Sequence, residues 1–116
     1  MVESYRDLKV WQRAIQMTLG VYRVTARFPK EELFGLTTQM RRADVAVPSN
    51  VAEGYGRNSK GEYKQFLGIA RGSNLELQTQ LVIARELNYA NPESLAHADD
   101  LSNEVAKMLN SLIAKL

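Results

Sequence analysis

Residues 91–116 read NPESLAHADDLSNEVAKMLNSLIAKL. Leu95, Ala98, Leu101, Val105, Leu109, Leu112 and Leu116 recur every three or four positions, the spacing that gathers side chains on one face of an α-helix. Asn91 is a capping residue by type, and Pro92 stands in the first turn, where its missing N–H costs nothing. The same dipeptide ends whatever helix precedes it. One stretch therefore predicts a stop, a start and an amphipathic helix.

Working back from Asn91, the third helix is predicted from Lys60 to about Ala90. Tyr63, Phe66, Ala70, Ser73, Leu77, Ala84 and Leu87 lie along one side, and Leu67, Leu75, Leu81 and Val82 broaden it. Ser59 with Glu62 three residues later forms a capping box at its start. Gly54-Tyr55-Gly56-Arg57-Asn58 is the turn before it. The second helix runs from about Leu36 to Gly54, with Leu36, Met40, Ala43, Val47 and Val51 inward, and Pro48 predicts a bend there because proline removes a donor and crowds the preceding turn.

The first helix, from near Asp7 to before Pro29, carries two apolar stripes. One is Leu8, Trp11, Ile15, Leu19 and Tyr22; the other is Val10, Ala14, Met17, Val21, Val24 and Phe28. A bundle helix buries one face, so the second stripe calls for a partner outside the monomer. Val10, Met17, Val21, Val24 and Phe28 are the predicted interface between copies. No segment reads as a strand, and short connections join all four helices. The predicted fold is one all-α domain over residues 1–116, an antiparallel up-down-up-down four-helix bundle with helix 2 bent at Pro48.

A chain of 116 residues sustains one core without staples. It has no cysteine, which excludes disulfides, thiolate metal sites and a cysteine nucleophile. No apolar run approaches the roughly 20 residues that span a bilayer, and Met1 to Asp7 lack a signal peptide's plan, so no membrane association and a cytoplasmic location are expected. The net charge of +2 is uneven: residues 1–90 hold 13 basic and 9 acidic groups, and residues 91–116 hold 2 and 4. A pI of about 9.0 permits an RNA or acidic partner, without the dense basic tracts that would demand one.

Candidate chemistry is thin. Glu93, His97, Asp100 and Glu104 share the polar face of the last helix, yet a di-iron bundle needs Glu-x-x-His on two helices plus two more glutamates facing inward. A solvated charged face, no metal and no cofactor is the expectation. Nucleophilic triads have no members here, and Gly54-x-Gly56 has no strand before it, so no catalytic residue is assigned.

Arg41 and Arg42 in the middle of helix 2 outnumber the nearby Asp44. If helices 2 and 3 fold about Asn58, positions summing to about 117 face each other, setting Arg41 or Arg42 against Glu76 and Glu53 against Lys64. Two readings stand: an ion pair between helices, or an outward phosphate contact. Arg41, Arg42, Arg57, Lys60, Lys64 and Arg71 are the candidate nucleic-acid contacts. Gln39, Arg42, Asn50, Glu53, Ser73, Glu76 and Gln80 are expected to form a polar network on the facing sides of helices 2 and 3. Its members would bond to one another, to backbone freed by Pro48, or across a subunit boundary.

Tyr5 to Trp11, Phe28 to Glu32, Gln39 to Ala43, Pro48 to Arg57 and Gly72-Ser73 with Glu76 to Leu81 together resemble the small bacterial four-helix-bundle proteins related to those encoded in intervening sequences of 23S ribosomal RNA genes. The likeness covers about residues 4–90. That family is in turn similar to the accessory variability protein of diversity-generating retroelements. The resemblance implies a homo-oligomer of five copies, no enzymatic activity, and RNA or a nucleic-acid-handling protein as partner. Asp44 and Ala46 depart from the family's small or hydroxyl residues, and Asn74 stands where an apolar residue is usual. The functional reading is thus a non-catalytic homo-oligomeric scaffold, an RNA- or nucleoprotein-associated accessory factor, with a protein-interaction module free of nucleic acid as the alternative.

Overall fold

A computed structural model describes residues 2–116. Four helices make up the body: α1 (Lys9–Thr25), α2 (Leu36–Tyr55), α3 (Lys60–Glu86) and α4 (Pro92–Lys115), with short 3-10 turns at Tyr5–Asp7 and Lys30–Glu32. No strand occurs among the described residues. Cross-helix bonds run in opposite residue order, so neighbours are antiparallel. Arg41 reaches Thr25 while Thr18 reaches Asp44; Arg71 reaches Asn110 while Gln78 reaches Asn103.

Helix ends follow the local chemistry of the sequence. Ser4 and Asp7 form the capping box of the first turn, Ser59 accepts from the Glu62 N–H, and Asn91 accepts from the Glu93 N–H. The third helix stops at Glu86 and not at Ala90. Asn88 takes a left-handed φ of 56°, the Asn88 N–H donates to Arg85 and the Tyr89 N–H to Ala84, which is the Schellman closure that silences the last carbonyls. Its physical cause is asparagine's tolerance of that conformation, a signal that precedes the proline by four residues.

The core joins Met17 and Val21 of α1, Met40, Val47 and Val51 of α2, Leu67, Leu77 and Leu81 of α3, and Leu95, Val105 and Leu109 of α4. Small residues bring the backbones close. A Cβ at Gly54 would stand 2.8 Å from the Phe66 Cβ, so glycine there permits the α2–α3 approach. α2 continues through Pro48 as one helix. The carbonyl of Asp44 loses its helical donor to that proline, and the Thr18 hydroxyl of α1, whose proton goes first to the Ala14 carbonyl at 3.0 Å, approaches it at 3.3 Å as a shared contact.

The apolar stripes of α1 do not divide between core and interface as expected. Val10, Met17, Val21, Val24 and Phe28, assigned from sequence to an interface between copies, are 7% exposed or less and form α1's share of the monomer core. Thr18 and Tyr22 lean toward α2, and Arg13 and Gly20 toward α4, so the inward direction bisects these and falls on the Val10–Val24 row. The other stripe is split: Leu8 and Trp11 pack half-buried against the core, while Leu19 at 50% and Tyr22 at 41% exposure are uncovered. On α3, Leu75 and Val82 face outward, and Leu87 just past its end is exposed too, so these three do not broaden the core. No helix among the described residues is long and apolar enough to cross a membrane.

Asp44 is fully buried, and neither carboxylate oxygen has a hydrogen-bond partner. Burial pushes its pKa up to about 8 from the ordinary 3.8, against a smaller opposing pull from Arg41. The folded chain therefore holds a proton here that the unfolded chain releases. Stability from the neutral acid is complete below pH 3.8, declines at roughly 1.4 kcal/mol per pH unit above it, and is gone once pH passes about 8. Urea unfolding should show this slope in the wild type from pH 5 to about 8, with a levelling toward pH 9, and lose it in Asp44→Asn, whose amide cannot ionise.

Candidate functional site

The polar residues grouped by sequence separate once the helices pack. Arg41 turns toward α1: its Nε donates to Thr25 Oγ1 at 2.9 Å and a terminal nitrogen to the Tyr22 carbonyl at 3.4 Å. Its guanidinium lies 4.6 Å from the centre of the Tyr22 ring. A cation at the C-terminal turn of α1 is placed where orphan carbonyls favour it. Arg41 is thus largely spent on joining α1 to α2.

Arg42 is exposed and has no carboxylate within 4 Å among the described residues. It lines an open cleft of about 610 Å³ with Gln39, Glu76, Thr79, Gln80 and Ile83. The register about residue 117 holds, since Gly54 packs on Tyr63 and Phe66. Arg42 and Glu76 still do not form the expected pair, because both sit on the outer margin of the α2–α3 seam, where water solvates each. Glu76 instead accepts from Gln80 at 3.5 Å on its own helix.

The expected network is likewise replaced by local contacts. Glu53 pairs with Arg57 one turn on at 3.6 Å, not with Lys64. Arg57 also reaches Glu62 at 3.8 Å and lies 4.7 Å over the Phe66 ring, clasping the α2–α3 turn. Asn50 donates to the Ala46 carbonyl at 2.7 Å within α2. Gln39 is exposed and Ser73 half-buried, and the Oε1 of buried Gln80 has no partner.

The cations proposed for nucleic acid fall into separate places. Arg57, Lys60 and Lys64 gather at the α2–α3 turn, all exposed. Arg71 lies further along α3 and donates to Asn110 of α4 at 3.2 Å. Arg42 stands alone in the middle of α2.

Three features lay outside the sequence reading. Asn74 and Ser102 are fully buried and bond reciprocally: Asn74 Nδ2 donates to the Ser102 carbonyl at 2.9 Å, and Ser102 Oγ to Asn74 Oδ1 at 2.7 Å. The signal was Asn74's place one turn before Leu77 on the α4 side. The second feature is a cleft of about 500 Å³ lined by Tyr22, Thr38, Arg41, Arg42, Val45 and Ala46. The third is the α1–α4 seam, where His97, Asp100 and Glu104 face Arg13, Gln16 and Arg23 across a groove of about 470 Å³ floored by Gly20. Arg13 binds Glu104 there at 3.0 Å, so that charged face is partly a helix contact and not solely a solvated back. Among the described residues no group of three His, Asp or Glu is placed to hold a metal.

A comparison with protein-family models matches residues 6–111 to the 23S rRNA-intervening sequence protein family. The chain belongs to that family. A solved structure with the same fold is a protein of unknown function from the S23 ribosomal protein family of Bacteroides thetaiotaomicron, at TM-score 0.83 and 20% identity, covering 90% of this chain and 95% of that one. At that identity the likeness is one of fold. No curated protein matches the chain.

Because Arg42 and Glu76 are solvated apart, Arg42→Ala and Glu76→Ala should each shift stability by no more than about 0.5 kcal/mol. The double variant should equal their sum within about 0.5 kcal/mol. Urea unfolding of the four proteins of the cycle measures this; a coupling above about 1 kcal/mol would restore the ion pair.

Proposed function

We propose that this member of the intervening-sequence family is a non-catalytic scaffold that works as a homo-oligomer. The observation that carries the reading is a continuous outer surface over α1, α2 and α3 that the monomer leaves uncovered. Tyr22 and Val45 share one cleft with Arg42, and Arg42 shares the next with Ile83. All four are exposed. Aromatic and aliphatic side chains interleaved with arginine are the composition of association surfaces, where Arg and Tyr are favoured anchors. The assembly surface proposed is therefore this one, in place of the Val10–Phe28 stripe. The resemblance to the accessory variability protein implies five as the number of copies.

Catalysis finds little support in the geometry. The one carboxylate with a strongly raised pKa, Asp44, is sealed in the core, and the exposed polar side chains Gln39, Arg42, Glu53 and Glu76 do not converge on one another. A binding surface is the use this arrangement fits.

A second reading has its own observation. The half of the bundle holding the α2–α3 turn, residues 2–17, 46–73 and 104–116, has nine basic and five acidic side chains; the other half has six and eight. Charge is thus segregated along a body 43 Å long. Copies arranged with these ends together would concentrate positive potential and favour a polyanion such as RNA.

Size exclusion with light scattering at micromolar concentration should give a multiple of the 13.1 kDa chain, and a clean monomer would sink the scaffold reading. RNA retention, where present, should weaken in Lys60→Glu with Lys64→Glu and fall steeply with salt, losing roughly one unit of log–log slope per phosphate contact removed. Retention unchanged by both would exclude the basic turn as the contact.

A further inference from the structure

Phe34 is 92% exposed, far beyond any other large apolar side chain among the described residues. Its neighbour Leu33 is half uncovered as well. The segment that presents them is firmly tied. The Glu32 N–H donates to Pro29 at 2.9 Å, the Leu33 N–H to Lys30 at 3.1 Å and the Gly35 N–H to Glu32 at 3.0 Å. One oxygen of the Glu32 carboxylate accepts the Leu36 N–H at 3.0 Å and the other the Tyr89 hydroxyl at 2.7 Å, which holds the carboxyl below its usual pKa. Thr38 Oγ1 donates to the Leu33 carbonyl. An aromatic ring held in water on a fixed base loses little freedom when it is captured, which is how anchor residues gain affinity.

The same chain has a shallow, open cleft of suitable composition. The cleft of about 500 Å³ between α1 and α2 has Tyr22, Val45 and Ala46 as apolar lining and Arg41 and Arg42 at its rim. Its volume admits a phenyl group, and arginine beside the cleft offers a cation to the ring face. Phe34 of the same chain leaves the cleft empty, since it stands in solvent. Charge points the same way. Glu31, three residues before the ring, is exposed and makes no ion pair, and Arg42 makes none. Glu31 and Arg42, each without an ion-pair partner among the described residues of the single chain, attract one another and orient the contact.

We propose that Phe34 of one copy seats in the Tyr22–Val45 cleft of a second copy, with Glu31 of the first beside Arg42 of the second. This rests on the self-assembly proposed above and names the contact that makes it. Each copy offers one ring and one cleft, so the contact can repeat from copy to copy until the assembly closes.

The experiment is light scattering on the wild type, Phe34→Ala, Val45→Lys and an equimolar mixture of the two variants, with circular dichroism to verify helix content. Both positions are exposed, so both variants should keep the fold. Each variant alone should associate at least ten-fold more weakly than the wild type. The mixture should form a one-to-one pair that neither variant forms alone, because the Val45→Lys ring meets the intact Phe34→Ala cleft, and it should stop at that pair because the return contact lacks both ring and cleft. Wild-type assembly that persists unchanged in Phe34→Ala overturns the ring's role, as does a mixture no better than its parts, and the ring then serves another partner. A monomeric wild type overturns the scaffold reading itself, which separates the two failures.

Discussion

Thr18 and Arg41 stitch α1 to α2, the first beside the carbonyl that Pro48 frees and the second at the last turn of α1. Pro48 denies the Asp44 carbonyl its own donor, and the Thr18 hydroxyl, shared with the Ala14 carbonyl of α1, comes to 3.3 Å from it. Seven residues along α1, Thr25 and the Tyr22 carbonyl take the Arg41 side chain. Two separated contacts of this kind set both the axial register and the rotation of α1. With the rotation set, the Val10–Val24 row points inward and Tyr22 is carried to the rim beside Val45. The outer cleft exists because of that stitch.

Buried polar groups mark the other seam in the same manner. Asn74 and Ser102 satisfy each other inside the α3–α4 contact, so the helices cannot slide a turn without stranding an amide and a hydroxyl in the core. Asp44 behaves differently. Its oxygens have no partner, and neutrality is the condition on which it stays buried. One polar pair confers register at modest cost, while one lone acid makes the packing of α1 on α2 depend on proton activity.

Periodicity and caps carried most of the fold. The leucine row after Asn91, the Ser59 box and the inward row of α2 all pack as their spacing says, since a helix face follows from local geometry. What periodicity could not choose was which of two equally regular stripes on α1 faces in; that depends on α2 and α4, which lie far away in sequence. The candidate site was less legible. The register of α2 against α3 was correct, and still Arg42 and Glu76 stay apart, because residue numbers give the height along a helix and not the last rotation that puts a side chain at the core or at the margin. Asp44 was within reach of the sequence, four residues after inward Met40. Phe34 was not, since an aromatic in a short loop reads as easily as a lid on the core.

The α1–α4 seam has a consequence for how the molecule can be used. Arg13 near the start of the chain meets Glu104 near its finish, so the beginning of α1 and the last turn of α4 emerge side by side. That end is opposite the loop that holds Phe34. Anything attached to either terminus would leave from the same pole, clear of the aromatic ring and its cleft.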